Sequence, residues 1–312
     1  MNPLYSGINL LYLAVNFNSY QSGTASVVRK AILDIILLIQ AVIMGIVEGI
    51  TEFLPISSTG YLILSADIMG FWTKEKVDLF VVVVQLGAIL AVIYDYWGRL
   101  WQALMGLITG QSDTMANPRQ LGLSLIIATI PVMIVGFTFA DEIKSYLFNP
   151  IVVAIMLIIG GLLIFYVEKR PKVIVAKEAE DVSFKTALKI GLFQCLALIP
   201  GTSRSGATII GALWLGVSRK ASAEFSFFLG IPVIVGAGLL DLLKHHEVLT
   251  NSEDWLVLAI GTVVSFIVAL LCIRWLVAWV SRRDFTIFAW LRIVTGVIVL
   301  VAAWGFGYQF AG

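Results

Sequence analysis

A polar stretch interrupts a strongly apolar sequence at residues 45–61, which read GIVEGITEFLPISSTGY. Glu48 and Glu52 lie four residues apart, so both carboxylates project from one face if this stretch is helical. Pro55 ends such a helix, and the Ser-Ser-Thr-Gly run after it favours a polar turn. Because ionisable groups are costly inside a membrane, the stretch is a candidate functional site. The alternative is a helix end at the bilayer surface, with its carboxylates in the headgroup layer.

A second polar interruption, at residues 191–206, reads GLFQCLALIPGTSRSG and resembles the first. The aligned pairs are Gly45 with Gly191, Glu48 with Gln194, Pro55 with Pro200 after a shift of one residue, Ser57 with Ser203 and Gly60 with Gly206. Interrupted apolar segments at matching places in two halves indicate a central site in a membrane protein with internal repeats. The first copy supplies carboxylates and the second supplies Arg204. Since carboxylates hold hard cations and guanidinium groups clamp phosphate oxygens, the pair suits a metal-bound phosphate.

The composition indicates a polytopic helical membrane protein, with 59% hydrophobic residues, 13% charged residues and a mean hydropathy of +0.95. A net charge of +1 gives no sign of a nucleic-acid partner. Cys195 and Cys272 both lie in apolar runs and are interpreted as small core residues. His245 and His246 are adjacent in a polar loop, so the sequence predicts no metal cluster of histidine or cysteine.

The spacing of apolar segments predicts an all-α polytopic membrane protein made of two inverted repeats, each a re-entrant helical hairpin plus three transmembrane helices. The predicted layout is an N-terminal extension (1–30), a first repeat (31–167) with its hairpin at 31–70, a polar connecting loop (168–183) and a second repeat (184–312) with its hairpin at 184–217. The second arm of the first hairpin, at 56–70, and both arms of the second hairpin are too short to cross, because a crossing helix needs about 20 residues. Three spans per repeat is an odd number, so the second repeat is inverted and the hairpin tips can meet near the midplane.

The lysines and arginines are unevenly divided between the two faces of this layout. One face would carry Arg29, Lys30, Lys74, Lys76, Lys144 and Lys244, and the other Arg99, Arg119, Lys169, Arg170, Lys172, Lys177, Lys185, Lys189, Arg219, Lys220, Arg282 and Arg283. The face richer in these residues is expected to be cytoplasmic, which places both termini outside.

The two motifs, EGITEFLPISSTG at 48–60 and PGTSRSGAT at 200–208, resemble the bacterial undecaprenyl-diphosphate phosphatase family, the integral membrane type linked to bacitracin resistance. The resemblance extends from residue 31 to the C-terminus and includes the stretches around Gln85 and Glu224. It implies hydrolysis of undecaprenyl diphosphate to the monophosphate with Mg²⁺ or Ca²⁺, which recycles the lipid carrier for cell-wall synthesis. It also implies a place in the bacterial cytoplasmic (inner) membrane, with the active site open to the periplasmic face.

The resemblance assigns roles to residues of both motifs. It implies Glu48, Glu52, Ser58 and Arg204 as catalytic residues, with Glu48 and Glu52 also as metal ligands. We expect substrate binding by Ser57, Thr59, Gly60, Tyr61, Ser203, Ser205, Gly206 and Thr208. For Ser57, Thr59 and Ser205 the alternative is a helix cap or an interhelical hydrogen bond. One departure stands out, because family members commonly have histidine where this chain has Tyr61. A tyrosine with a pKa of about 10 is a poor base at neutral pH, so we expect a glutamate to serve as the base. The nucleophile is then either Ser58 or a water activated by a glutamate.

Two other classes of protein compete with the phosphatase. Inverted repeats and broken helices are also typical of transporters, so a polyprenyl-phosphate flippase or a related transporter is the alternative function. A membrane scaffold without a site would leave the costly buried charges unexplained. The expected partners are a polyprenyl diphosphate lipid and the bilayer, and the small Gly160-Gly161 pair would permit close helix packing, including in a homodimer.

Overall fold

The computed structural model describes residues 23–110, 117–147, 150–171 and 173–305, and it is built from α-helices. The α-helices in these ranges are α1 (Gly23–Thr51), α2 (Ser58–Met69), α3 (Lys74–Asp95), α4 (Trp97–Thr109), α5 (Pro118–Leu147), α6 (Pro150–Lys169), α7 (Phe184–Cys195), α8 (Arg204–Trp214), α9 (Arg219–His245), α10 (Ser252–Val280) and α11 (Thr286–Gly305). The prediction of an all-α fold is confirmed. The predicted extension up to residue 22 and the last predicted span beyond residue 305 lie outside the described residues.

Seven of the described helices are long and apolar enough to cross a membrane, namely α1, α3, α5, α6, α9, α10 and α11. The chain is therefore a multi-pass membrane protein, as predicted. Helix α1 begins at Gly23, inside the predicted extension of residues 1–30, and its apolar part, Arg29–Thr51, has 23 residues. The start of this helix therefore differs from the predicted start of the hairpin at residue 31.

The first motif folds as a helical hairpin. Helix α1 ends before Pro55, and α2 runs back beside it, since Gln40 Nε2 donates a 2.7 Å hydrogen bond to the carbonyl oxygen of Met69. Lys30 at the start of α1 pairs with Glu253, and Lys76 at the start of α3 pairs with the adjacent Asp254. The hairpin therefore leaves and rejoins the same end of the molecule.

The second motif also folds as a hairpin, and both of its arms are too short to cross a membrane. Helices α7 and α8 have 12 and 11 residues, against the roughly 20 that a crossing requires. The end of α8 is tied to the loop that precedes α7, because Val175 N donates to Gly216 O at 2.8 Å. This loop is at the far end of α3 from Lys76, since Arg99, just after α3, forms a bidentate pair with Glu180. The second hairpin thus rejoins the end opposite to the first.

Aligned glycines let each hairpin pack closely on a spanning helix. Helix α1 packs along α10, and α7 packs along α5. A Cβ at Gly45 would come within 2.5 Å of the Gly261 carbonyl oxygen in α10, and a Cβ at Gly191 would collide with the backbone of Ala128 in α5. Helix α9 contributes three fully buried phenylalanines, Phe225, Phe227 and Phe228, and Phe227 makes an edge-to-face contact with Phe53 at the first hairpin tip. The tips of both hairpins are thereby held inside the bundle.

Candidate active site

The two hairpin tips are in direct contact. Ser205 Oγ, in the first turn of α8, lies 3.0 Å from the backbone carbonyl oxygen of Glu52 and 2.9 Å from that of Leu54. Both of these acceptors belong to the segment that ends the first hairpin arm, where the helical bonding of α1 stops. Carbonyl groups at a helix end lack intrahelical hydrogen-bond partners, so Ser205 of the second tip supplies a donor to carbonyl groups of the first tip.

Glu52 connects the chemistry of the two motifs. Ser58 Oγ donates a hydrogen bond to Glu52 Oε2 at 2.5 Å, and Arg204 Nη2 donates to Glu52 Oε1 at 2.9 Å. The second guanidinium nitrogen, Nη1, donates to the Ser226 carbonyl oxygen of α9 at 2.8 Å, which fixes the plane of the group. Both Glu52 and Ser58 are buried, so these charge-assisted contacts lie in a low-dielectric setting where they are strong.

Two aligned serines adopt a backbone conformation that is unusual for their residue type. Ser57 has φ 80° and Ser203 has φ 70°, in the left-handed region that glycine occupies most easily. Each precedes the first residue of the second arm of its hairpin, and Ser203 Oγ caps α8 by accepting a 3.0 Å hydrogen bond from Gly206 N. Backbone strain of this kind persists where the surroundings impose it and is concentrated at functional sites. Its occurrence at matching positions identifies the two turns as the centre of the candidate site.

A cavity of about 260 Å³ opens between the tips. Its lining includes seven of the residues implicated from sequence, Glu52, Ser57, Ser58, Thr59, Ser203, Arg204 and Ser205, together with Gln85 and Gln194. The remaining lining is mostly apolar and includes Val132 of α5, Leu198, and Val233, Ile234 and Ala237 of α9. A polar centre with an apolar wall suits a ligand that has a charged head and a hydrocarbon tail.

Glu48 lies one helical turn before Glu52 and is fully buried, outside the lining of the cavity. Neither of its carboxylate oxygens has a hydrogen-bond partner among the described residues, and the same holds for both amide atoms of the aligned Gln194. An unpaired buried carboxylate is costly unless it is neutralised or binds a cation. This orphaned carboxylate beside Glu52 therefore fits a divalent cation.

The donor atoms available also suit particular cations. Within the described residues no group of three or more histidine, cysteine, aspartate or glutamate side chains could hold a metal by itself. Two carboxylates with the remaining ligands from phosphate and water are the usual coordination of Mg²⁺, and Ca²⁺ accepts the same oxygen donors. The predicted ligand pair, Glu48 and Glu52, is thus compatible with either ion.

Besides Glu48, four further residues implicated from sequence do not line the cavity. Tyr61 turns away and its hydroxyl is 2.7 Å from Thr295 Oγ1 of α11, in a separate small pocket that Gly60 also lines. Thr208 Oγ1 is 2.6 Å from Ser226 Oγ, and Gly206 contributes the amide that Ser203 caps. These residues support the walls of the site, and their predicted contacts with substrate remain predictions.

Comparison with known proteins identifies the family. The model of the family described as Bacitracin resistance protein BacA matches residues 41–298, which is most of the chain. The chain belongs to this family. A protein named undecaprenyl-diphosphatase from Psychrobacter cryohalolentis is 88% identical over 280 residues, which cover 90% of this chain and 100% of the relative. A protein of the same name from Psychrobacter arcticus is 89% identical with the same coverage, and undecaprenyl-diphosphatase 1 of Acinetobacter baylyi is 60% identical over 87% of this chain and 98% of its own length.

In this BacA-family chain, sequence reasoning missed one residue of the site, Arg292 on α11. Its side chain is fully buried and lies within hydrogen-bond distance of five backbone carbonyl oxygens, at 3.0–3.2 Å. The five carbonyl groups are those of Pro55 in the first tip, Gly201 and Thr202 in the second, and Met156 and Leu157 of α6. Arg292 therefore joins both tips to the bundle, and its signal in the sequence was a single arginine in an apolar span.

Gln85, whose stretch belongs to the family resemblance, is a polar residue in the apolar helix α3. Its amide nitrogen donates to Val81 O within α3 at 3.0 Å, so this bond stays inside one helix. The same side chain lines the cavity. Gln85 is therefore placed to contact a ligand directly. Glu224, whose stretch also carries the family resemblance, lies instead beside Arg99, whose Nη1 is 2.9 Å from Glu224 Oε2.

Proposed function

We propose that this protein hydrolyses undecaprenyl diphosphate to undecaprenyl phosphate and inorganic phosphate. The observation that carries the proposal is the position of Glu52, which joins the Ser58 hydroxyl of one motif to the Arg204 guanidinium of the other at a cavity. The relatives that are 88% and 89% identical over 90% of this chain carry the name undecaprenyl-diphosphatase. The diphosphate occupies the polar centre of the cavity, and the polyprenyl tail follows its apolar wall.

Ser58 is the nucleophile in the proposed reaction, and Glu52 is its base. Ser58 Oγ attacks the terminal phosphorus while Glu52 accepts the hydroxyl proton along the existing 2.5 Å hydrogen bond. The bond between this phosphorus and the bridging oxygen breaks, and undecaprenyl phosphate leaves with the electron pair. A water molecule then attacks the phosphoserine, the phosphorus–Oγ bond breaks, and Ser58 regains a proton from Glu52. If no phosphoserine forms, the same carboxylate activates a water for direct attack.

Arg204 stabilises the charge that develops on the phosphoryl oxygens. Its guanidinium is held in place by Glu52 and by the Ser226 carbonyl oxygen, while its buried Nε has no hydrogen-bond partner within the described part of the chain. A preorganised cation in a water-poor site contributes strongly to phosphoryl transfer, which depends mainly on positioning and charge neutralisation. A divalent cation held by Glu48 and Glu52 would supply further positive charge next to the diphosphate.

The proposed arrangement in the membrane is two inverted repeats with a site that opens to the outer, periplasmic face. Its support is that the aligned hairpins rejoin opposite ends of the molecule and that α1 packs on α10 as α7 packs on α5. The lysine and arginine bias supports an orientation in the bacterial inner membrane in which the end that carries Arg99 and Glu180 faces the cytoplasm. A homodimer stays a prediction.

Phosphate release from undecaprenyl diphosphate by the purified full-length protein in detergent tests the activity. We expect release with Mg²⁺ or Ca²⁺ and its loss with a chelator. Glu52→Gln removes the base and Arg204→Ala removes the clamp, so each is expected to lower kcat by at least about 100-fold. Glu253→Gln, at the exposed ion pair with Lys30, is the matched control and should retain wild-type turnover.

The outcome that contradicts the phosphatase is the absence of release from folded wild-type protein with either metal. Folding is checked by a cooperative thermal transition and a single peak in size-exclusion chromatography. Transport of a labelled polyprenyl phosphate across vesicles by that same inactive preparation would then favour the flippase. Equal activity in wild type and Arg204→Ala would show that Arg204 of the second hairpin takes no part in the reaction.

A further inference from the structure

A second cavity of about 530 Å³ lies at the end of the molecule where α6 and α10 finish and α9 begins. Its polar lining comprises Arg170, Lys177, Arg219 and Lys220, with Glu168 and two serines. It shares no lining residue with the cavity between the hairpin tips. Because membrane-crossing segments begin and end around it, this cavity lies at the level of the lipid headgroups. We refer to it as the basic cavity.

Two cations of the basic cavity are already neutralised. Arg219 makes a bidentate pair with Glu168 at 2.7–3.1 Å, and Lys220 pairs with Glu178 at 2.9 Å. The neighbouring carboxylates are also engaged, since Glu180 binds Arg99, Asp181 accepts the backbone amides of Lys177 and Glu178, and Asp284 accepts the amide of Thr286. Among the described residues none of these three carboxylates forms an ion pair with Arg170 or Lys177.

Arg170 and Lys177 are the cations left over. Within the described ranges neither side chain forms an ion pair, and the Arg170 guanidinium lies 5.1 Å from the ring centre of Trp214. The ring centre of Trp214 lies 5.4 Å from that of Tyr166, so the arginine lies over one member of an aromatic pair. Exposed aromatic rings of this kind favour the boundary between membrane and water. Two cations beside them, without an ion-pair partner among the described residues, constitute a site for an anion at that boundary.

Exposed apolar residues lie next to these cations. Val173, Ile174 and Val175 are 83%, 44% and 63% exposed, although the segment is pinned by the Val175–Gly216 hydrogen bond. Three successive exposed aliphatic side chains are unfavourable in water but suit contact with acyl chains. A soluble anion would use the cations and leave this surface uncovered, whereas a lipid uses both.

We propose that the basic cavity binds an anionic phospholipid, with the headgroup phosphate held by Arg170 and Lys177 and the acyl chains lying over residues 173–175 and Tyr166. Basic cavities between membrane helices near the cytoplasmic surface bind anionic headgroups by this combination of charge and hydrocarbon contact. The site is independent of the phosphatase reaction and has its own readout.

Native mass spectrometry of the full-length protein in detergent, titrated with phosphatidylglycerol and separately with phosphatidylethanolamine, tests the proposal. Wild type should retain phosphatidylglycerol preferentially. The double variant Arg170→Gln/Lys177→Gln should bind it at least about tenfold more weakly. The matched control is Lys185→Gln/Lys189→Gln, which removes the same charge from exposed positions of α7 outside the cavity and should bind as wild type does. Phosphate release in detergent should be unchanged in both double variants.

Three results would overturn the lipid site. Equal retention of the two lipids by wild type would show no preference for an anionic headgroup. Equal weakening in the control variant would show diffuse surface charge in place of a site. Displacement of phosphatidylglycerol by excess inorganic phosphate would show a site for a soluble anion. If the double variant fails to fold, phosphatidylglycerol retention by the single variant Lys177→Gln is compared with that of wild type instead. Lipid retention does not depend on phosphate release, so it is measured whether or not wild type is active.

Discussion

At the scale of single residues, substitution of Ser58, which contacts Glu52, distinguishes attack by the serine hydroxyl from attack by a water molecule. If Ser58 is the nucleophile, Ser58→Ala should lower kcat by about 100-fold or more and abolish trapping of a phosphoserine from ³²P-labelled substrate in an acid quench. Ser265→Ala is the control, because that buried hydroxyl on α10 has no hydrogen-bond partner among the described residues and does not line the cavity. Near-normal turnover in Ser58→Ala would assign the attack to a water.

Arg292 is the residue whose loss should most affect the stability of the site. A lysine there presents a point charge with three donors, where the guanidinium presents a fork that reaches five carbonyl oxygens. Each buried carbonyl group left without a donor costs about 1–3 kcal/mol. We therefore expect Arg292→Lys to lower the apparent melting temperature clearly, in a thermal scan of the detergent-solubilised protein. Arg274→Lys, at an exposed pair with Asp95, should change it little, and an unchanged melting temperature in Arg292→Lys would contradict this role.

At the scale of the helices and their connections, the left-handed turn at Ser57 stores strain that glycine would release. No side-chain hydrogen bond caps α2 from Ser57, so a glycine loses little contact there. Relief of such strain is worth about 1–3 kcal/mol, and Ser57→Gly should therefore raise the apparent melting temperature above that of Ser57→Ala. Ser203→Gly is the informative comparison, because it also removes the hydrogen bond to Gly206 N and should gain less. A lower melting temperature for Ser57→Gly than for Ser57→Ala would show that the turn is not strained.

The helical hairpins and the contact between their tips were predictable, because polar residues and prolines interrupt apolar sequence twice in the same order. The strained turns were not, since serine is not a residue type that indicates positive φ. The true start of α1 was missed because residues 23–30 lack the apolar pattern that marks a span. Arg292 could be recognised as an unusual residue in an apolar helix, but the sequence does not say which of the other helices it contacts. Long-range contacts of this kind depend on packing that no local pattern encodes.

At the scale of the whole molecule, the arrangement of the two ends can be tested by labelling. Single cysteines at Lys30 and at Lys177, in a background where Cys195 and Cys272 are replaced by alanine, mark the opposite ends. A membrane-impermeant maleimide applied to intact spheroplasts should label position 30, and position 177 should react only after lysis. The cysteine-free protein gives the background signal. Labelling of position 177 before lysis, with position 30 protected, would reverse the proposed orientation.

The position of Arg292 also has a consequence for the order in which this protein is made. Its helix is the last one described in the chain, yet its guanidinium bonds to carbonyl groups in both hairpin tips. The ribosome must therefore deliver α11 to the membrane before Arg292 can bond to the two tips. A nascent chain stalled before α11 carries both motifs without the residue that fastens them together.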